Sequence, residues 1–452
     1  DRNSMSAAVK PLDASPRLQP LAVGNVQRTL ILDDNGPVAL GTFLAQVRAV
    51  AAALPSGRHA VNLCEDRYRF LVAFCAVALR GQTTLLPPSR APVVVADVLA
   101  QYEDSYCLGD APLPVEPPRY WQLPATLPEL DGDMPLIVDD AVVAIGFTSG
   151  STGNPKPNYK RWAAFRTSTQ QNLAALQDLW HGDDQPNVVA TVPPQHMYGM
   201  ELSVLLPLLG PACVHTARPF FPGDIARVMA ATPAPRLLAT TPVHLRALVE
   251  SGVQLPALCG IVSATAPLSQ ELAAAAEASF DCEVVEMFGA TETCVIARRR
   301  TAQESAWTPL PGVSLQPRPD GALVQAAHLP MGILLADLVE LEPDGRFHLR
   351  GRQADLLEIA GKRASLGDLT RRLLAIPGVV DGVMLQLDAC EVKGVARVAA
   401  LVVAPDLDEA QIIAALRTSI DPVFLPRPLK FVQALPRSET GKLPRAELLK
   451  LL

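Results

Sequence analysis

Apolar positions recur at helical spacing over residues 43–54 and 68–79, and short apolar runs at 59–63 and 83–86 read as strands. This alternation predicts βαβ units, with parallel strands covered by helices on their faces. Residues 142–147 form a compact apolar strand that runs into a Gly/Ser/Thr loop, and a helical pattern follows at 162–180. Strand patterns return at 188–192, 213–216, 237–240, 260–263 and 283–287, most of them separated by helical stretches. The α/β texture is therefore expected to continue to about residue 330, and after Gly351 and Arg352 it changes. Residues 353–452 carry strands at 382–387 and 396–403 and helices at 366–374 and 409–418, a small α+β arrangement. The predicted fold class is α/β, with a large N-terminal domain of α/β layers at 1–352 and a small C-terminal domain at 353–452.

Composition narrows the function classes. The chain has 452 residues with 39 Lys+Arg against 46 Asp+Glu, a net charge of -7. Phosphate-backbone affinity comes from clustered Lys and Arg, so a nucleic-acid partner is disfavoured. Hydrophobic residues make up 49% and charged residues 19%, enough apolar material for large cores. The 42 prolines, about 9% of the chain against roughly 5% in average usage, exclude a long helical repeat. Residues 112–135, rich in proline, read as a connecting stretch. No apolar run approaches the roughly 20 residues of a membrane span; residues 202–209 are short and contain Pro207. No secretory leader pattern is visible, residues 1–4 before Met5 resemble a tag remnant, and eight cysteines show no metal-ligand spacing. A cytoplasmic protein with reduced thiols is the expectation.

Four segments carry candidate chemistry. Phe147-Thr148-Ser149-Gly150-Ser151-Thr152-Gly153-Asn154-Pro155-Lys156 follows the buried strand with glycines, hydroxyls and a lysine that can surround a phosphate chain. The spacing is not that of a Walker A loop. Glu286-Met287-Phe288-Gly289-Ala290-Thr291-Glu292 offers an aromatic face for a purine and a carboxylate for Mg²⁺. Asp337 precedes Gly351-Arg352, with Asp344-Gly345 marking a hairpin between them, so a carboxylate for ribose hydroxyls and a cation come together. The chain closes with Pro436-Arg437-Ser438-Glu439-Thr440-Gly441-Lys442, a lysine on a glycine-containing loop. Each segment alone reads more readily as an ordinary loop or turn with solvated charges; their order and spacing together is the signal.

Together the four closely resemble the adenylate-forming superfamily of acyl-CoA synthetases, aryl-acid ligases and adenylation domains, from about residue 20 to 452. The resemblance implies that ATP and a carboxylic acid react to an acyl-adenylate with release of pyrophosphate, and that a thiol of CoA or an acyl carrier protein then takes the acyl group. It implies that residues 148–156 form the phosphate loop and that Thr265, Ala266, Glu286, Met287, Phe288, Gly289 and Thr291 surround the nucleotide. It further implies that Glu292 holds Mg²⁺, Asp337 and Arg352 address the ribose, and Lys442 is the catalytic lysine of a mobile lid hinged at 353–355. His196 matches a position between nucleotide and acid, with Met197, Tyr198 and Gly199 expected along the acid pocket.

Several positions depart from the family pattern. Pro157 replaces a usual glycine, Ala264-Thr265-Ala266 stands for Gly-Gly-Ala, Leu335-Ala336 stands for Thr-Gly, and Ala354 takes the place of a charged hinge residue. In detail the chain is most similar to the ligases of bacterial aryl-polyene and xanthomonadin pigment pathways, which implies a hydroxybenzoate- or hydroxycinnamate-like acid. A medium- or long-chain fatty acyl ligase and a catalytically inactive nucleotide-binding protein are the alternatives. Oligomeric state is left open.

Overall fold

The computed structural model describes residues 16–148, 155–359, 362–387, 397–439 and 441–452. The chain divides into two compact units, Asp1–Arg28 with Val38–Arg166, and Thr29–Pro37 with Thr167–Leu452.

In the first unit a six-stranded sheet runs Lys156–Arg161, Val142–Thr148, Thr83–Leu86, His59–Asn62, Ser105–Gly109, Tyr120–Gln122. His59–Asn62 pairs in parallel with Thr83–Leu86 and with Ser105–Gly109, as the βαβ pattern predicts. The crossover helix Arg67–Leu79 is capped by Asp66, whose carboxylate accepts from the Arg69 N–H. It is buried on nearly every side, because its sequence from Phe70 to Ala78 has no polar stripe to turn outward. The strand Lys156–Arg161, which the sequence pattern does not announce, stands directly before the expected helix at Trp162, and it pairs antiparallel with Val142–Thr148, Lys156 opposite Thr148. Lys156–Arg161 is polar and largely exposed, so an edge strand of this kind leaves no apolar run to recognise.

The second unit is built on a nine-stranded sheet. Its parallel part orders Val284–Ala290, Gly260–Ser263, Arg236–Thr240, Asn187–Ala190, Cys213–His215 and Thr29–Asp33. Helices Pro222–Ala230, Pro242–Glu250 and Gln270–Phe280 bury Ile225, Leu245 and Ala273 against Val189, Leu238 and Ile261 of the sheet. Thr241 and Ser269 cap two of these helices with their hydroxyls.

The α/β texture ends at Ala290, not near 330. From Cys294–Arg299 onward the strands are antiparallel up to Phe347–Arg352. Physically the connections decide this. Ala290 to Cys294 and Arg318 to Gly321 are too short to hold a crossover helix, and only antiparallel neighbours can be joined that way. Residues 353–452 have their own core, in which Leu369, Leu373, Met384, Ala400, Ile412 and Leu416 pack together. Its strands Asp381–Leu387 and Arg397–Val403 and its helices Leu366–Leu374 and Glu409–Arg417 follow the predicted pattern closely. Among the described residues no helix is long and apolar enough to cross a membrane, and the seven cysteines are free thiols.

Candidate functional site

The turn that carries Glu292 is shaped by what cannot fit. Phe288 and Gly289 end the strand Val284–Ala290, and a Cβ built at Gly289 would stand 2.2 Å from the Cys294 carbonyl oxygen. Only glycine permits this hairpin to close. Thr293 ties the turn: its N–H donates to the Ala290 carbonyl (3.2 Å), and its hydroxyl accepts from the Ala290 N–H (3.2 Å). The buried His328 Nε2 lies 2.6 Å from the Thr293 carbonyl oxygen. The buried Glu201 carboxylate accepts from the Val295 N–H at 3.1 and 3.2 Å and from Asn172 at 3.2 Å. Thr291 and Glu292 are therefore presented, half-buried, from a rigid base. Among the described residues no group of three metal-ligating side chains assembles. A lone carboxylate suits Mg²⁺, which usually takes one or two carboxylates together with substrate phosphates and waters.

Glu286 and Met287 lie deeper in the same strand. Glu286 is spent internally: its carboxylate accepts from the Leu268 N–H (2.9 Å), Arg299 (2.9 Å) and the Thr301 hydroxyl (2.7 Å). Burial raises its carboxyl above the ordinary value against the pull of Arg299. It fixes the loop 264–268, on which Thr265 adopts φ 81°, a left-handed backbone uncommon for a non-glycine residue. Ala266 follows, half-buried.

His196 occupies the N-cap of the short helix Met197–Met200 and makes no side-chain cap bond. Burial first, then the Lys442 and Arg218 cations beside it, lower its imidazole to about 4, so it is uncharged near neutrality. Of the expected acid-pocket residues, Met197, Tyr198 and Gly199 are buried. Tyr198 donates its hydroxyl to the Val262 carbonyl at 3.1 Å, which commits it to the sheet. A Cβ at Gly199 would meet the Pro193 carbonyl oxygen at 1.9 Å, so this glycine lets the helix start close on the preceding chain.

The loop that carries Lys442 reaches the same place. A Cβ built at Gly441 would stand 3.7 Å from Val243 at the start of the helix Pro242–Glu250. Glu439 pairs with Arg218 at 3.5 Å. Internally the loop is clamped by Arg437, which holds both oxygens of Asp381 at 2.6 and 2.7 Å and donates to the Gly441 carbonyl at 2.7 Å. Ser438 and Lys442 are bonded through Ser438 N–H to Lys442 carbonyl (2.8 Å) and Lys442 N–H to Ser438 hydroxyl (3.1 Å). Arg437 and Glu439 lie inside the sequence segment that ends at Lys442, where no role is assigned to them, and no local pattern marks Asp381, Arg218 or Glu201.

Asp337 and Arg352 are register partners across the predicted hairpin, and Arg352 Nε lies 3.5 Å from Asp337 Oδ1. Thr148 and Lys156, at the two ends of the segment expected to bind phosphate, are register partners in the first unit. Ser149, Gly150, Ser151, Thr152 and Gly153 lie outside the described residues. The second unit thus brings His196, Arg218 and Lys442 together, and separately pairs Asp337 with Arg352.

A family model described as AMP-binding enzyme matches residues 15–321. The chain belongs to the AMP-binding enzyme family. It is an AMP-forming ligase that uses ATP with Mg²⁺. A 4-coumarate–CoA ligase of Rhodobacter capsulatus is 32% identical over 303 residues, 66% of this chain and 74% of that relative. Another, from Halorhodospira halophila, is 32% identical over 263 residues, covering 54% of this chain and 60% of that one. Among solved structures, ATP-bound MatB from Rhodopseudomonas palustris superposes with a TM-score of 0.78 at 20% identity, covering 95% of this chain and 96% of that one. The anthranilate CoA ligase AuaEII in complex with anthranoyl-AMP gives 0.80 at 15% identity, covering 96% and 98%. The solved structures carry the fold of this AMP-binding enzyme, and the sequence relatives its family.

Proposed function

We propose that this AMP-binding enzyme activates a hydroxybenzoate- or hydroxycinnamate-like aromatic acid and transfers it to the thiol of CoA or of an acyl carrier protein. The observation that carries the reading is an uncharged His196 that feels the Lys442 and Arg218 cations, with Arg218 paired to Glu439 of the loop that carries Lys442. The names of the sequence relatives, 4-coumarate–CoA ligases, support an aromatic acid. A role in a pigment pathway and a cytoplasmic setting belong to the same proposal.

In the first half-reaction an oxygen of the acid's carboxylate attacks the α-phosphorus of ATP, and the bond to the bridging oxygen of pyrophosphate breaks. Two anions must approach, so cations and donors have to stand where charge builds up. Lys442 supplies one such cation, and residues 148–156 are proposed as the phosphate loop. Glu292 would hold Mg²⁺, which when bound neutralises phosphate charge. His196, being neutral, adds no charge to the acid side and can exchange a hydrogen bond with the carboxylate. Asp337 receives the ribose hydroxyls, with Arg352 beside it.

In the second half-reaction a thiolate sulfur attacks the acyl carbon of the adenylate, and the C–O bond to AMP breaks. Lys442 has no part in that step. Residues 353–452, with their own core, are proposed to act as a lid that turns about residues 353–355 between the two steps. Pyrophosphate release measured across a panel of aromatic and aliphatic acids tests the reading; turnover of fatty acids alone would overturn it. Intact mass of a carrier protein, and thioester formed with CoA, then separate the two acceptors.

A further inference from the structure

The second unit holds another histidine, which the reaction described above does not use. His244 sits in the first turn of the helix Pro242–Glu250, at the carboxyl end of the parallel strand Arg236–Thr240, where open α/β sheets place their ligands. Its Nδ1 lies 2.8 Å from the Thr191 hydroxyl, and the Thr191 and Thr240 hydroxyls are 2.8 Å apart. Both threonines are buried, so this chain of hydroxyls orients the ring. Phe220 stacks on the imidazole, with centroids 5.9 Å apart and planes 23° from parallel. The ring is half-buried, and Nε2 has no hydrogen-bond partner among the described residues. The Arg218 cation acts electrostatically on both His196 and His244.

We propose that His244 is the specificity-determining residue for the acid, its Nε2 exchanging a hydrogen bond with a hydroxyl substituent on the aromatic ring. The inference rests on the aromatic-acid reading given above and deepens it. Burial, with Arg218 beside it, lowers the imidazole below its ordinary value, so the ring stays neutral. A neutral imidazole held at Nδ1 by a hydroxyl can accept or donate at Nε2 according to which way the threonine chain points. A ring hydroxyl satisfies it either way, whereas an unsubstituted ring leaves it unpaired in a partly desolvated recess. Phe220 aligns the imidazole edge with a flat substrate, and Thr191 is the positioning residue.

The experiment compares kcat/KM for ATP-dependent pyrophosphate release with benzoic and hydroxybenzoic acids, and with cinnamic and hydroxycinnamic acids. The intact chain is expected to favour the hydroxylated member of at least one pair by about 10- to 100-fold, in line with a site that hydrogen-bonds a substrate hydroxyl. His244→Phe is expected to bring that ratio close to one, chiefly by raising KM for the hydroxylated acid. Thr191→Val, which keeps the side-chain shape, is expected to reduce it several-fold. Thermal unfolding of each variant identifies any loss of fold, and Thr191→Val decides the question if His244→Phe does not fold. A ratio near one in the intact chain, or one retained in the variants, overturns the inference while leaving the aromatic-acid reading in place. Turnover of no aromatic acid overturns both.

Discussion

The turn that carries Glu292 and the loop that carries Lys442 each deliver one charged side chain, yet they are held in different ways. Around Glu292 the fastening is buried: Gly289 leaves no room for a Cβ, and Glu201, His328 and Thr293 satisfy backbone groups from beneath. Around Lys442 it is ionic and closer to water. Arg437 and Asp381 have about a fifth of their side-chain surface exposed, and Arg218 and Glu439 have 39% and 51%. Buried polar groups that lose a partner cost far more than exposed pairs do. The first turn is therefore a fixed part of the scaffold, and the second can be released from its neighbours at small cost. The proposed reaction in two steps, with Lys442 acting in only one of them, calls for that asymmetry.

The largest expected effect breaks the rigid side of the comparison. Gly289→Ala places a methyl group 2.2 Å from a backbone oxygen that has no flexible side chain to yield. It should destabilise the chain by about 3 kcal/mol, in the range of severe overpacking. Urea unfolding monitored by fluorescence measures this, and a loss under about 1 kcal/mol would mean that the turn relaxes freely.

Lys442→Ala should lower the adenylation rate by roughly 100-fold or more, the scale of removing one preorganised charge-stabilising group. Its unfolding midpoint should not move, and thioester formation from supplied acyl-adenylate should continue. Pyrophosphate release and thioester assays separate the two half-reactions; equal losses in both would contradict the proposed division of labour.

Arg437→Ala removes the clamp without touching the lysine. We expect a loss of about 10-fold in adenylation with a smaller effect on thioester formation, and partial rescue by Arg437→Lys, which keeps a charge but loses the bidentate fork. Equal losses in both half-reactions would make the clamp merely structural.

His196 gives a pH signature. Its pKa is about 4 in the folded chain against 6.5 as a free side chain. The unfolded chain therefore binds a proton that the folded one refuses, and stability should fall as pH drops from about 6.5 toward 4. His196→Asn should flatten that part of the curve in unfolding measurements at fixed ionic strength. The smallest effect belongs to Glu439→Gln. An exposed pair at 3.5 Å contributes at most about 1 kcal/mol, so adenylation should change less than about 5-fold, and less still in high salt.

Much of this site is legible in the linear chain because the chemistry needs particular residues next to one another. Gly289 before Glu292, Gly441 before Lys442, and Asp337 one hairpin away from Arg352 are local facts, and local spacing survives folding. The same holds for elements marked by a continuous apolar run, such as Arg67–Leu79 and Gly260–Ser263. Where polarity hid an edge, at Lys156–Arg161, the pattern failed, and where connections were short it continued an α/β rhythm some 40 residues past its end at Ala290. What only the tertiary structure decided is which distant groups meet. Arg218 joins Glu439, Arg437 joins Asp381, Glu201 reaches Val295, and His244 leans on Thr191 across separations of 53 to 221 residues. No periodicity encodes such pairs. They arise because strand order brings the carboxyl ends of the parallel sheet together and burial then selects the hydrogen bonds that remain.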